Sequence, residues 1–160
     1  MTGYHTPRGR RCRSRSDSSL ITCIRAIYEE GYDELREGSV SEDLQGIDAV
    51  STIDGDTYQH KAQFDAGWFN LNIQTREWGA MGGAHFYIWH HVPTDTILII
   101  PKDLVIGAVK HLVTKSNQPF YTINMNQRHF KSGAGWHEDI VVIRNPLKSK
   151  QTPSETGAQA

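Results

Sequence analysis

Cysteine is scarce in this chain: Cys12 and Cys23 are the only two in 160 residues, and neither falls in a Cys-x-x-Cys or Cys/His spacing that suits zinc or a redox pair. They read as free thiols in a reducing compartment, so the expected location is the cytoplasm. Long apolar runs are missing too. Nothing approaches the ~18 residues of a membrane span, and the one superficially leader-like run, "SLITCIRAIY", is broken by Arg25 with no small-residue cleavage pattern after it. Net charge is almost absent, at −1 from 17 basic and 18 acidic residues, and no internal repeat marks a solenoid.

What is present suits one soluble globular domain. The hydrophobic share is 38%, with four Trp, six Tyr and five Phe, too much for a wholly disordered chain. The charges are unevenly laid out. Arg8, Arg10, Arg11, Arg13 and Arg15 crowd one end, and an acidic block from Glu29 to Asp43 follows. Residues 1–17 hold Gly, Pro, Ser and Arg with little to bury and read as a disordered basic arm; residues 145–160 read as a second disordered tail, leaving 18–144 as the folded domain. Arginine at that density is what phosphate binding uses, through bidentate hydrogen bonds and counterion release, so nucleic acid is the expected partner. The plain alternative is a solvated tail.

Asp17 and Ser18 can cap a helix with Leu20, Ile24 and Ile27 on one side, flanked by Ile21 and Tyr28, and Gly31 can end it. From Gly46 to Phe64 the period changes to two around Asp54-Gly55, the signature of an antiparallel hairpin. After the Gly-rich "WGAMGG", the runs "AHFYIWHHV" and "TILIIP" read as strands, the first buried on both faces. "KDLVIGAVKHLV" reads as a helix with Asp103 as a candidate cap, and "FYTIN" and "EDIVVIR" read as short closing strands. The fold class expected is α/β, a mixed sheet flanked by helices.

The hairpin carries the chemistry. Alternation puts Gln59, Lys61 and Gln63 on one strand face, and a two-residue Asp54-Gly55 loop, with Ile53 facing Asp56, would set Asp48 opposite Lys61. A carboxylate, an amide oxygen and an ammonium on one face suit phosphodiester hydrolysis. Mg²⁺ or Mn²⁺ takes hard oxygen ligands and keeps several waters, so Asp48, Gln59 and the His60 carbonyl could hold it. Lys61 would orient water or offset developing charge. The structural alternative is a solvated Asp–Lys cross-strand pair contributing about 0.2–1 kcal/mol. His85, His90 and His91 invite a zinc reading, but at ~3.3 Å per residue His85 and His91 are too far apart along one strand to share an ion unaided.

The residues "GID…QHKAQ" resemble the PD-(D/E)xK nuclease superfamily, in the Gln-x-Lys form of its Mrr-like members and with the Gly-Ile-Asp strand of Holliday-junction resolvases. The order of leading helix, hairpin, buried strand and following helix extends the resemblance over roughly residues 18 to 113. The resemblance implies a restriction-endonuclease-like core, a Mg²⁺-dependent DNA endonuclease cutting phosphodiester bonds in duplex or branched DNA, and a homodimer. It implies Asp48 and Gln59 as metal ligands and Lys61 as the catalytic cation. The family often carries a Glu midway along the leading helix, where this chain reads "LITCIRAI". The missing acid is then sought among Glu29, Glu30, Glu42 and Asp43, with Asp43 the favoured metal ligand. Two other functions fit the same sequence: a DNA-binding module that has lost cleavage, and a viral or mobile-element accessory protein acting through protein contacts.

Overall fold

The structure is a computed structural model that describes residues 7–67, 69–74, 84–110, 120–133 and 135–144. Helix α1 spans Pro7–Glu29, and a proline at a first helical position costs no hydrogen bond. Its buried positions Leu20, Cys23, Ala26 and Ile27 recur at three and four. The helix ends in a Schellman turn: Gly31 sits at φ 74°, Tyr32 N–H donates to the Ile27 carbonyl and Gly31 N–H to that of Tyr28.

The helix corrects one expectation. Residues 7–17, which by composition belong to a disordered arm, form its opening turns. Arginine is a good helix former, and the Arg15 guanidinium lies 4.1 Å from the centre of the Phe64 ring, tying those turns to the folded body. Residues 1–6 and the tail at 145–160 lie outside the described residues.

Beyond α1 come strand β1 (Leu35–Glu37), the short helix α2 (Val40–Leu44), and strands β2 (Ala49–Ser51) and β3 (Thr57–Gln63). Strand β4 (Asn70–Gln74) is followed by β5 (Phe86–His91), β6 (Thr96–Pro101) and helix α3 (Lys102–Lys110). The last elements are β7 (Phe120–Asn124), β8 (Lys131–Ser132), β9 (Gly135–Trp136) and β10 (Val141–Arg144).

The main sheet has six strands in the order β1-β2-β3-β5-β6-β10, with β3 and β5 parallel and every other pair antiparallel. It is a mixed sheet, as expected, and "EDIVVIR" closes one edge through β10. "FYTIN" does not join it: β7 pairs with β4 in a separate two-stranded sheet. The unit β3–crossover–β5 is what makes the pair parallel, because the chain must travel back before it can pair in the same direction.

Two apolar layers sandwich the sheet. On one face, Leu20, Cys23 and Ile27 of α1 pack on Ala49, Tyr58, Ile88, Ile97 and Ile99. On the other, Tyr87, Trp89, Leu98 and Ile100 pack on Val105, Ala108 and Val109 of α3 and on Leu71, Ile73 and Ile123 of the small sheet. Strand β5 contributes to both layers, which is why its sequence scarcely alternates. Among the described residues, no helix is long and apolar enough to cross a membrane.

Candidate metal and nucleic-acid site

The hairpin forms with Gly55 at φ 80°, but its turn is longer than a two-residue loop. Ser51 N–H donates to the Asp56 carbonyl and Val50 pairs with Thr57, so Ile53 does not face Asp56 and Asp48 does not face Lys61. The cause is local. The Ser51 hydroxyl caps the turn, accepting from the N–H groups of Ile53 and Asp54 while donating to the buried Asp33 carboxylate. Tyr58 donates to the other oxygen of Asp33 at 2.7 Å, locking this end of β3.

Asp48 reaches β3 in a different way. Its N–H donates to the Tyr58 carbonyl, its own carbonyl is diverted to Gly38 N–H, and its side-chain Oδ2 accepts from His60 N–H at 2.7 Å. The carboxyl therefore lies against the main chain between Gln59 and Lys61. Asp43, the last residue but one of α2, hydrogen-bonds to the Asp48 side chain. Burial, and next the Asp43 carboxyl beside it, push Asp48 up to about 7, against the opposing pull of His60 N–H and Lys61.

Gln59 and Lys61 stand in register beside Tyr87 and Trp89 of β5, on the sheet face that carries α3 and the small sheet. Gln59 is 5% exposed, and its Oε1 is a buried acceptor without a hydrogen-bond partner among the described residues. An orphaned buried carbonyl is uncommon, because leaving such a group unpaired costs about 1–3 kcal/mol. Asp43, Asp48 and Gln59 each carry a hard oxygen, the donor type that Mg²⁺ or Mn²⁺ takes. Two are acids, and no group of three or more His, Cys, Asp or Glu residues able to hold a metal exists among the described residues.

The other candidate acids sit elsewhere. Glu42 is engaged by both guanidinium nitrogens of Arg36, at 2.8 and 2.9 Å, which with Ser39 N–H holds its carboxyl down at about 2. Glu29 and Glu30 are exposed at the end of α1. Of the five arginines, Arg15 is placed over Phe64, the residue after Gln63 at the end of β3. Arg8, Arg10, Arg11 and Arg13 lie on the opening turns of α1, and their side chains are outside the described set.

One constellation carries no clear mark in the sequence. On the α1 face, Ser19 Oγ lies 2.8 Å from His60 Nε2 and 2.7 Å from His90 Nδ1, while His90 Nε2 lies 2.8 Å from Asp95 Oδ1. His90 Nε2–H donates to the Asp95 carboxylate, and the Ser19 hydroxyl, able both to donate and to accept, bridges the two imidazoles. Burial, then His90 and Lys61, hold His60 at about 3, so it is neutral in this chain. The network has the residue types of a Ser-His-Asp triad, but Ser19, His60 and His90 are 5%, 6% and 3% exposed, sealed under α1. Its work is structural, tying α1 to β3 and β5. The only sequence signal is that His90 must face opposite His91.

The zinc reading of the histidines finds no support in this geometry. His85 is exposed and accepts from Thr57 N–H, and His91 is buried beside Thr94. Comparison with family models, with curated proteins and with solved structures returned no match.

Proposed function

We propose that this chain is a Mg²⁺-dependent DNA endonuclease of PD-(D/E)xK type with Asp43, Asp48 and Gln59 as metal ligands and Lys61 as the catalytic cation. The observation that carries the reading is the Asp48 carboxyl, held by the His60 N–H and paired with the Asp43 carboxyl, beside a strand whose residues on either side of His60 are the orphaned Gln59 carbonyl and Lys61. The strand order adds support. A leading helix, a hairpin with Asp48 just ahead of one strand and Gln59 and Lys61 on the next, a buried strand and a following helix is the order the resemblance implies.

The residues divide the work by charge. Asp43, Asp48 and Gln59 would hold a divalent ion, which would supply Lewis-acid chemistry toward phosphoryl oxygen and water. The two acids would offset its charge, Asp48 giving up the proton that its burial favours. Lys61 places a positive charge where negative charge builds on the phosphoryl oxygens. Arg15 on Phe64 brings one cation to the end of the same strand, and the arginines of the preceding turns of α1 supply further charge for the DNA backbone.

The test is direct: the purified chain is incubated with plasmid and with a four-way junction, with Mg²⁺ or with EDTA. Cleavage that needs Mg²⁺ is expected, and two arms that stay intact overturn the proposal. A second reading, a DNA-binding module without cleavage, is favoured by the neutral ligand Gln59 and the presence of two acids rather than three. It predicts binding that falls with salt and no nicking at any Mg²⁺ concentration.

A further inference from the structure

We infer that Arg36 and Glu42 are positioning residues that set the Asp43 carboxyl against Asp48. This deepens the metal-site reading and rests on it. The starting point is what α2 lacks. It is a single short helix, Val40–Leu44, with no buried residue, and its two apolar side chains, Val40 and Leu44, are 81% and 77% exposed. So short a helix has no stability of its own, and here no apolar face holds it to the core.

Polar clips hold it instead. Ser39 and Glu42 form a reciprocal capping box: Ser39 Oγ accepts from Glu42 N–H, and Glu42 Oε1 accepts from Ser39 N–H at 2.7 Å. The Arg36 fork reaches from β1 to both Glu42 oxygens, so one carboxylate closes the cap and binds the sheet. Gly38 N–H donates to the Asp48 carbonyl, and a Cβ on Gly38 would stand 2.5 Å from the Ile47 carbonyl, so only glycine permits this approach. Each clip fixes the short segment that carries Asp43 and Asp48.

An exposed ion pair contributes little to stability. Its geometric effect here is larger, because Asp43 is the residue next to Glu42 and has no apolar anchor of its own to keep it over the site. Residues that orient metal ligands commonly change metal affinity ~10–100-fold when removed.

The experiment measures Mn²⁺ binding to the full chain by electron paramagnetic resonance, alongside the carboxyl-carbon NMR line of Asp48. Arg36→Met and Glu42→Gln should each weaken Mn²⁺ binding ~10–100-fold with the unfolding midpoint almost unmoved, and Arg36→Lys, which keeps the charge but loses the fork, should recover part of it. In an Asp43→Asn background, Glu42→Gln should add no further loss. Full Mn²⁺ affinity in Arg36→Met, or an additive loss in that background, overturns the inference. If the unaltered chain binds no Mn²⁺, the metal reading falls, and the NMR line still decides the positioning role. Glu42→Gln and Asp43→Asn should then shift the Asp48 line alike, and a line that only Asp43→Asn moves refutes it.

Discussion

Asp48→Asn should make the protein more stable at neutral and alkaline pH while ending its metal dependence. In the folded chain the Asp48 carboxyl is raised from 3.8 to about 7, chiefly by burial and then by Asp43. A folded value above the unfolded one means the stabilising contribution is fully present below the unfolded pKa and is lost as pH rises through the folded pKa. At ~1.36 kcal/mol per unit, ionising Asp48 in the fold costs at most about 4 kcal/mol, and about 2 kcal/mol once the chain relaxes and water enters. Asparagine is never ionised, can still accept from His60 N–H and can donate to Asp43, so it escapes that cost. At ~2–4 °C per kcal/mol for a chain of this size, the variant should melt roughly 4–8 °C above the unaltered protein near pH 8 and level with it near pH 4, both in EDTA. The neutral His60 has the opposite pH trend, but it is common to both proteins and cancels in the difference. Scanning calorimetry across this range is the assay. A variant that melts lower near pH 8, or with the same pH slope as the unaltered protein, would refute the reasoning.

Lys61→Ala should reduce Mg²⁺-dependent cleavage by ~10²–10³ with DNA binding largely kept, measured by plasmid nicking and by gel shift. Gln59→Glu should tighten Mn²⁺ binding, since it adds charge at an oxygen that has no hydrogen-bond partner among the described residues; unchanged affinity would show that Gln59 is not a ligand. Replacing Arg8, Arg10, Arg11, Arg13 and Arg15 with Ser should flatten the salt dependence of duplex binding by about 0.9 for each phosphate that is no longer neutralised. Ser19→Ala should lower stability by about 1–3 kcal/mol, because it strands His60 and His90 in a sealed layer, and chemical denaturation reads this directly.

Much of the main sheet is legible in the sequence because burial leaves a strong pattern. Strand β5 is apolar on both faces and sits between two core layers, and the periodicity of α1 and its Gly31 stop translate directly into structure. Short elements are not legible. Strand β1 has three residues and α2 has five, too few for any period, and both are held by side-chain hydrogen bonds. The hairpin register departs from expectation because Asp54-Gly55 resembles a tight turn while Ser51, capping from outside that dipeptide, sets the longer one. Of the candidate site, Asp48, Gln59 and Lys61 can be picked out as residue types on neighbouring strands. Asp43 can be favoured over Glu42 from its place just before the Asp48 strand, but the Arg36 fork that engages Glu42 cannot be read from the sequence. Residues 7–17 look unstructured because composition alone does not reveal that Arg15 has an aromatic ring to lie on.

The Asp48 side chain does the hydrogen bonding that its own carbonyl would otherwise do in the ladder, and this bears on conformational entropy. A surface aspartate turns among rotamers and must give up that freedom when it takes a ligand, a loss of about 0.5–1.5 kcal/mol for a mobile side chain. Asp48 has already been fixed by His60 N–H during folding. On the metal-site proposal, the first carboxylate that an arriving cation would meet is therefore rigid beforehand, and part of the attraction forgone by a neutral amide at Gln59 would be recovered as order already in place.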